Sequence, residues 1–261
     1  GTLGLLFLTD LNGWSVTAGK LFAAGVDTVF QIVALIPVLV VPVLLGGDHC
    51  LGVGSISAVA RHCREAGRKL RVLWLDAHAD FNTHTLTPSG NLHGMPLATA
   101  LGVDNLPCQR NHVDIETSLQ WTQLKSNSVK FSDLIYVGVR STEPEEDAVI
   151  EAEHITNITV EKVRSLGIQQ VLEQISHQLN PCDVMYVSFD VDSMDPVETS
   201  FGTGTPVANG LTVQEAKSLL EGLCRSPKLV ALEFVEVNPT LDEKKNRMAE
   251  VALDLITNCT R

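Results

Sequence analysis

Residues 71–94 read RVLWLDAHADFNTHTLTPSGNLHG, and the opening six decide the fold. Val72, Leu73, Trp74 and Leu75 form an unbroken apolar run, and Asp76 follows at once. A strand with one wet face alternates apolar and polar residues, whereas a strand covered on both faces does not. The run therefore predicts a parallel strand lying between two helical layers. Directly beyond it, Asp76, His78 and Asp80 alternate with small residues. Side chains two apart on an extended segment share a face, so all three can address one centre.

Outward from this strand the same alternation of apolar runs and helical patterns continues. Upstream, residues 38–45 read as a buried strand, and Ile56, Val59, Ala60 and Cys63 fall at helical spacing. Downstream, DLIYVGV (133–139), DVMYVSFD (183–190) and LVALEFVEV (229–237) are further strands. Between them lie a helix started by a capping box at Thr142–Glu145, an amphipathic helix through Ile168, Val171, Leu172, Ile175 and Leu179, and a helix capped at Thr212–Glu215. Residues 241–257 read as a terminal helix, and 109–130 as a long, irregular, polar connection. Near-continuous apolar strands separated by helices predict a single three-layer α/β/α domain around a central, mostly parallel sheet.

Composition narrows the function classes. The chain has 261 residues, 44% of them hydrophobic, and a formal net charge of −12. That sign, with no basic run, argues against nucleic acid as a partner and is compatible with a cationic small molecule. The most apolar segment, residues 32–45, is short and interrupted by Pro37 and Pro42, so no membrane span is expected. The six cysteines are scattered without a CxxC pair, which reads as reduced thiols in the cytoplasm. The sequons at Asn157 and Asn258 carry no weight without a signal peptide.

In open α/β sheets, sites form beyond the carboxyl ends of the strands. Three strands end in acid or histidine clusters: Asp48 with His49, Asp76 to Asp80, and Asp190, Asp192 and Asp195. A fourth delivers Glu233 and Glu236. So many carboxylates on one rim repel each other unless cations sit among them. Oxygen and imidazole donors without thiolate suit Mn²⁺, Fe²⁺ or Zn²⁺, with Mn²⁺ the best match to an oxygen-rich set. The number of carboxylates points to two ions rather than one. Cys50 reads as a small packing residue, and Gly46-Gly47 lacks the rest of a nucleotide-binding motif.

Taken together, GGDH (46–49), DAHADFNT with SGNLHG (76–83 and 89–94), SFDVDSMDP with TGTP (188–196 and 203–206) and EVNP (236–239) resemble the ureohydrolase family, and within it the arginases. The resemblance covers roughly residues 38–257 and implies an arginase/deacetylase-like fold. It implies a binuclear Mn²⁺ centre, one ion held by His49, Asp76, Asp80 and Asp190 and the other by Asp76, His78, Asp190 and Asp192. It further implies hydrolysis of L-arginine to L-ornithine and urea, with His93 as proton shuttle, Glu236 gripping the guanidinium and Asp80 assisting proton transfer. Asn82 and Ser89 occupy the positions that receive the substrate α-carboxylate, and Thr205 lies at the pocket wall. Glu143, within Arg140-Ser-Thr-Glu-Pro144, stands where arginases carry an aspartate for the α-amino group. A role in arginine metabolism and the urea cycle, and assembly as a homo-oligomer, specifically a trimer, follow from the same resemblance.

Three departures from the family pattern are expected to matter. Glu143 is one methylene longer than the usual aspartate, the loop DPVETSFGTGTP is one residue longer, and residues 1–37 lack the usual Gly-rich opening and read as atypical or truncated. His84 has no role in the pattern and reads as an exposed loop residue. Two other functions fit parts of the sequence: hydrolysis of another guanidino compound, such as agmatine or guanidinobutyrate, and service as an inactive metal-binding regulatory subunit.

Overall fold

Every strand described in the computed structural model, which covers residues 41–259, runs parallel to its neighbours. The strands are β1 (Val43–Leu45), β2 (Leu70–Leu75), β3 (Leu134–Val137), β4 (Thr156–Ile158), β5 (Val184–Asp190) and β6 (Leu229–Val235). The helices are α1 (Gly52–Glu65), α2 (Pro96–Leu101), α3 (Ile115–Leu124), α4 (Pro144–Ala152), α5 (Val160–Leu166), α6 (Ile168–Leu179), α7 (Val213–Cys224) and α8 (Arg247–Cys259).

Spatially the strands lie in the order β1-β6-β5-β2-β3-β4. From β2 the chain steps outward to β3 and β4, returns to β5 beside β2, and then steps outward on the other side to β6. The boundary between β2 and β5 is thus the switch point at which such sheets open a crevice at their carboxyl ends. β2 and β5 are in register from Leu70 with Val184 to Leu75 with Phe189, which sets Asp76 and Asp190 side by side just past the last pair.

Because side chains alternate, each buried strand serves two cores. Leu73, Leu75, Val187, Phe189, Leu232 and Phe234 face α5 to α8. Val72, Trp74, Tyr136, Tyr186 and Ala231 face the opposite way, with Ile56, Val59 and Ala60 of α1 and Leu97 of α2. This is the expected three-layer α/β/α arrangement. Among the described residues, no helix is long and apolar enough to cross a membrane.

Several boundaries differ from the sequence reading. Of the strand expected at 38–45, Val43–Leu45 is observed, while residues 38–40 lie outside the described part, as do residues 1–37. The connection at 109–130 is not irregular throughout, since it contains α3, N-capped by Asp114. The last helix starts at Arg247 rather than near 241, the intervening residues forming turns. The capping box of α4 is shifted by one residue: Glu146 accepts from the Glu143 N–H at 3.0 Å, and Thr142 instead donates to Asp147. At α7 the expected box is present, Thr212 and Glu215 each accepting from the other's backbone N–H.

The loop beyond β5 is pinned back on itself, Leu211 N–H to Ser193 O at 2.9 Å and Asp195 N–H to Leu211 O at 2.8 Å. Gly210 makes this closeness possible, because a Cβ there would lie 2.4 Å from Met194 C and 2.6 Å from Asp195 N. Those atoms are backbone and have little freedom to yield. Gly210→Ala is therefore expected to cost about 1–3 kcal/mol of stability, read as a lower midpoint in urea unfolding; an unchanged midpoint would show the loop to be looser than this.

Candidate functional site

Five adjacent strands deliver polar side chains to one crevice at the carboxyl edge of the sheet. His49 follows β1, Glu236 follows β6, Asp190 ends β5 with Asp192 just beyond, Asp76 follows β2 and leads into His78 and Asp80, and Glu143 lies beyond β3. They line or underlie a cavity of about 230 Å³ that also takes in Asn82, Ser89, His93, Glu146 and Thr205. Asp76 is fully buried beneath its floor.

His49 defines the floor. Its ring stacks on Trp74 with centroids 4.1 Å apart, and its Nε2 shares a hydrogen bond with Ser188 Oγ at 2.9 Å. The Nδ1 atom faces Oδ2 of Asp190 at 3.0 Å, of Asp80 at 3.1 Å and of Asp76 at 3.2 Å. Yet this buried nitrogen has no aligned hydrogen-bond partner. When Nε2 donates to Ser188, Nδ1 presents a lone pair, and three carboxylate oxygens surround it. Only Asp76 Oδ2 meets a donor, the Trp74 Nε1–H at 2.8 Å, and a set of electron-pair donors this poorly supplied with hydrogens fits a divalent cation. A second such group adjoins it: His78 Nδ1 lies 3.1 Å from Asp192 Oδ2 and 3.5 Å from Asp76 Oδ1. Asp76 belongs to both groups.

The titration behaviour reports the same frustration. Burial pushes Asp190 and Asp192 up, and so do neighbouring carboxylates, Asp192 and Asp76 for the first and Asp76 for the second. Asp80 is pushed up to about 7, by burial first and then by the charge of Asp76. Burial works to lower His78, but Asp192 and Asp76 outweigh it and push it up to about 12. Burial also works to raise Asp76, but His49 and His78 beside it hold it below the usual carboxylate range. In each case protons supply the positive charge that the geometry calls for.

The backbone around the cluster is held in unusual shape. Asp80 and Glu236 are non-glycine residues in the left-handed region, with φ of 50° and 65°. The Asp80 carbonyl accepts from Leu97 N–H, the Glu236 N–H donates to Gly47 O, and Glu236 Oε1 accepts from the His49 N–H at 2.7 Å. Such conformations cost of order 1–3 kcal/mol each and persist where the surroundings over-determine them. Arg140 contributes by donating to five carbonyls, among them Asp192, Ser193, Val207 and Ala208, which ties the loop beyond β5 to the end of β3.

At the mouth, His93 in the short 3₁₀ turn Leu92–Gly94 lies 3.6 Å from Asp48, which raises its affinity for a proton. Asp48 is held at about 2: burial would raise it, but His93 and the Cys50 N–H outweigh burial. Glu236 stands beside them, raised first by burial. On the facing wall Asn82 Nδ2 donates to Glu143 Oε2 at 2.9 Å. Thr205 Oγ1 donates to Asp192 Oδ2 at 3.1 Å.

Some sequence candidates lie elsewhere. Asp195 accepts from the Val197 and Gly210 N–H groups and acts as a turn cap. Glu233 does not reach the rim; it is buried below it, accepting from Ser55, Tyr186 and Ser188. His84 is not an exposed loop residue: it is half-buried and stacked on Trp121 at 4.8 Å. Burial keeps the Cys50 thiol protonated, with Asp48 adding to the effect. The sequence reading missed Trp74, Ser188 and Glu146. Trp74 and Ser188 each stand two residues before an aspartate of the cluster, on the same strand face. Glu146 stands three after Glu143, the spacing of one helical turn.

A model of the arginase family matches residues 22–260 of the chain. The arginase of Bacillus caldovelox is 36% identical over 240 residues, which are 92% of this chain and 73% of that protein. The arginase of Entamoeba histolytica is 36% identical over 200 residues, 77% of this chain and 62% of that protein. The crystal structure of Bacillus subtilis arginase superposes with a TM-score of 0.77 at 32% identity, covering 96% of this chain and 80% of that one. A crystal structure of the E. histolytica enzyme in complex with L-ornithine superposes with a TM-score of 0.73 at 32% identity, over 83% and 68% of the two chains.

Two outcomes test the site itself. Ser188→Ala removes the bond that orients His49, so affinity for a divalent cation is expected to fall about 10- to 100-fold in a chelator competition; unaltered affinity would remove His49 from the ligand set. Glu146 is pushed up to about 9 from 4.5, by burial and then by its hydrogen bond to Glu143. A raised acid favours the folded state fully below pH 4.5 and loses that contribution as pH rises through 9. Chelator-treated protein should therefore lose more stability across this window than Glu146→Gln does, measured by urea unfolding; identical slopes would mean that Glu146 stays ionised.

Proposed function

Because the chain belongs to the arginase family, we propose that it hydrolyses the guanidinium group of L-arginine, releasing L-ornithine and urea. One observation carries this reading. A single cavity joins a His/Asp cluster fitted for divalent cations to Glu236 on one side and the Asn82–Glu143 pair on the other. The three parts match a guanidinium that is attacked, a carboxylate that holds it and an amino-acid end that needs both signs of charge.

His49, Asp76, Asp80 and Asp190 would hold one Mn²⁺, and Asp76, His78, Asp190 and Asp192 the other. Bound Mn²⁺ supplies the Lewis acidity that makes water nucleophilic near neutral pH. Glu236, fixed by the His49 N–H, pairs with the cationic guanidinium through a charge-assisted hydrogen bond, and that cation offsets the burial of its carboxylate. The departing amine needs a proton, and His93 would give it. Asp48 favours its protonated form, and its partial exposure lets it reload from solvent. Asp80 can accept a proton within the cluster. Asn82 has one amide hydrogen engaged by Glu143 and one left for the α-carboxylate. The Ser89 hydroxyl oxygen accepts from the Asn91 N–H, leaving its own hydrogen to donate to that carboxylate. Glu143 meets the α-ammonium group, and Thr205 shapes the wall while bracing Asp192.

The family also supports two Mn²⁺ per chain, assembly as a homo-oligomer, a trimer by the same token, and a cytoplasmic setting within arginine metabolism.

The test is urea release by protein loaded with Mn²⁺, offered L-arginine, agmatine and guanidinobutyrate in parallel. Arginine is expected to be favoured, since agmatine leaves Asn82 and Ser89 without a carboxylate; urea from agmatine alone would reverse the assignment. His93→Ala should lower turnover by about 10²- to 10⁴-fold with bound metal unchanged. Loss of metal in that variant would place His93 among the ligands instead.

A further inference from the structure

α7 and α8 lie side by side on the same face of the sheet and run in the same direction, each descending from the carboxyl edge. Lys217 of α7 pairs with Asp254 of α8 at 3.0 Å. Two turns beyond Lys217 and about one and a half turns beyond Asp254, both helices end in cysteine, Cys224 and Cys259. The two thiols are within hydrogen-bonding reach of one another, and both pack partly buried against the same hydrophobic core. Scattered in sequence and separated by a whole strand, they are brought together by the fold alone. Two neighbouring parallel helices, each ending in a half-buried cysteine within hydrogen-bonding reach of the other, make a site suited to a bond.

We propose that Cys224 and Cys259 are a disulfide-forming pair, oxidised by peroxide to tie the end of α8 to α7. Cys224 is the attacking thiol: hydrogen bonding from Cys259 lowers it below an ordinary cysteine despite burial, whereas Cys259 is raised by the same bond. The Cys224 thiolate attacks one peroxide oxygen, an S–O bond forms, the O–O bond breaks and hydroxide leaves. The Cys259 sulfur then attacks Cys224, the S–S bond forms and the S–O bond breaks, releasing a second hydroxide. The two thiol protons convert both hydroxides to water, so two thiols and one hydrogen peroxide give one disulfide and two waters. The bond forms at the amino-terminal edge of the sheet, the full length of α7 away from the cavity, roughly 18 Å at the helical rise per residue. It fastens the scaffold without entering the active site.

The experiment treats the full, metal-loaded chain with hydrogen peroxide, then blocks free thiols and maps peptides by mass. A Cys224–Cys259 cross-link lighter by two hydrogens is expected, with titratable thiols in denatured protein falling from six to four. The thermal midpoint should rise on oxidation and return on reduction, and both effects should vanish in Cys224→Ser and in Cys259→Ala. Urea release should be unchanged throughout, so the outcome is independent of the activity assignment. Sulfinic or sulfonic acid at either residue without a cross-link, or oxidation confined to the exposed Cys108, would overturn the proposal.

Discussion

Around His49 Nδ1 the chain places three carboxylate oxygens within 3.2 Å, and that nitrogen has no hydrogen-bond partner among them. Isolated carboxylates in a dry interior are expensive, and one ionised group alone shifts its titration rather than remain charged. Gathering several is tolerable only where a cation, or protons standing in for one, completes the set. The rest of the architecture follows from that requirement. Asp76 and Asp190 must end adjacent strands at the same level, which the register of Leu75 with Phe189 provides. Both must lie at a switch point, since only there do the flanking loops diverge and leave room between them.

Beneath the cluster, the sheet does not return at once to hydrocarbon. Glu233 is fully buried and accepts hydrogen bonds from Ser55, Tyr186 and Ser188, and Ser188 in turn meets His49. In the sheet Trp74, Ser188 and Glu233 lie on one level across β2, β5 and β6. Every acceptor in this row has a donor, so a buried carboxylate becomes a fixed anchor rather than a defect. Ser55 comes from α1, so the helix that begins just after His49 is keyed to the same row. His49 is thereby located from both sides, by stacking on Trp74 and by the bond to Ser188. The left-handed backbone at Asp80 and Glu236 is the strain this rigidity sustains.

How much of this was legible follows from how local each signal is. β2, β5 and β6 were readable because near-continuous apolar residues, broken only by Arg71, Ser188 and Glu233 before the closing Asp190, mean burial on both faces. β4 was not, being three residues long and containing Thr156 and Asn157. α3 buries only Gln120 and Trp121 and leaves Ile115 and Leu119 exposed, so it writes no apolar stripe. The α4 capping box admitted two registers, Thr142 with Glu145 or Glu143 with Glu146. The choice fell to the second because Glu146 also accepts from the distant Phe81 N–H. His84 was misplaced for the same reason, since its partner Trp121 is 37 residues away and belongs to the helix that left no trace. The strand-end clusters themselves were legible, because a change from four apolar residues to an aspartate needs no tertiary information. The supports under them, Trp74 and Ser188, follow the period-two rule and could have been read.

Glu143 shows what the tertiary context adds to a residue the sequence could only mark as unusual. Its carboxylate is lowered first by the hydrogen bond from Glu146 and further by Asn82, while Glu146 is pushed up to about 9 by burial and by Glu143 itself. The two acids therefore share one proton near neutral pH and present one negative charge, not two. That charge faces the cavity beside an amide that still has a donor to offer. An ammonium and a carboxylate borne on one carbon would be matched by that arrangement, one full negative charge next to one neutral donor. A second ionised carboxylate on the same wall would repel the carboxylate of any amino-acid ligand. The extra methylene at position 143 would thus be compatible with the proposed amino-acid recognition, because burial and Glu143 favour a protonated Glu146, which removes the charge that a pair of glutamates would otherwise bring.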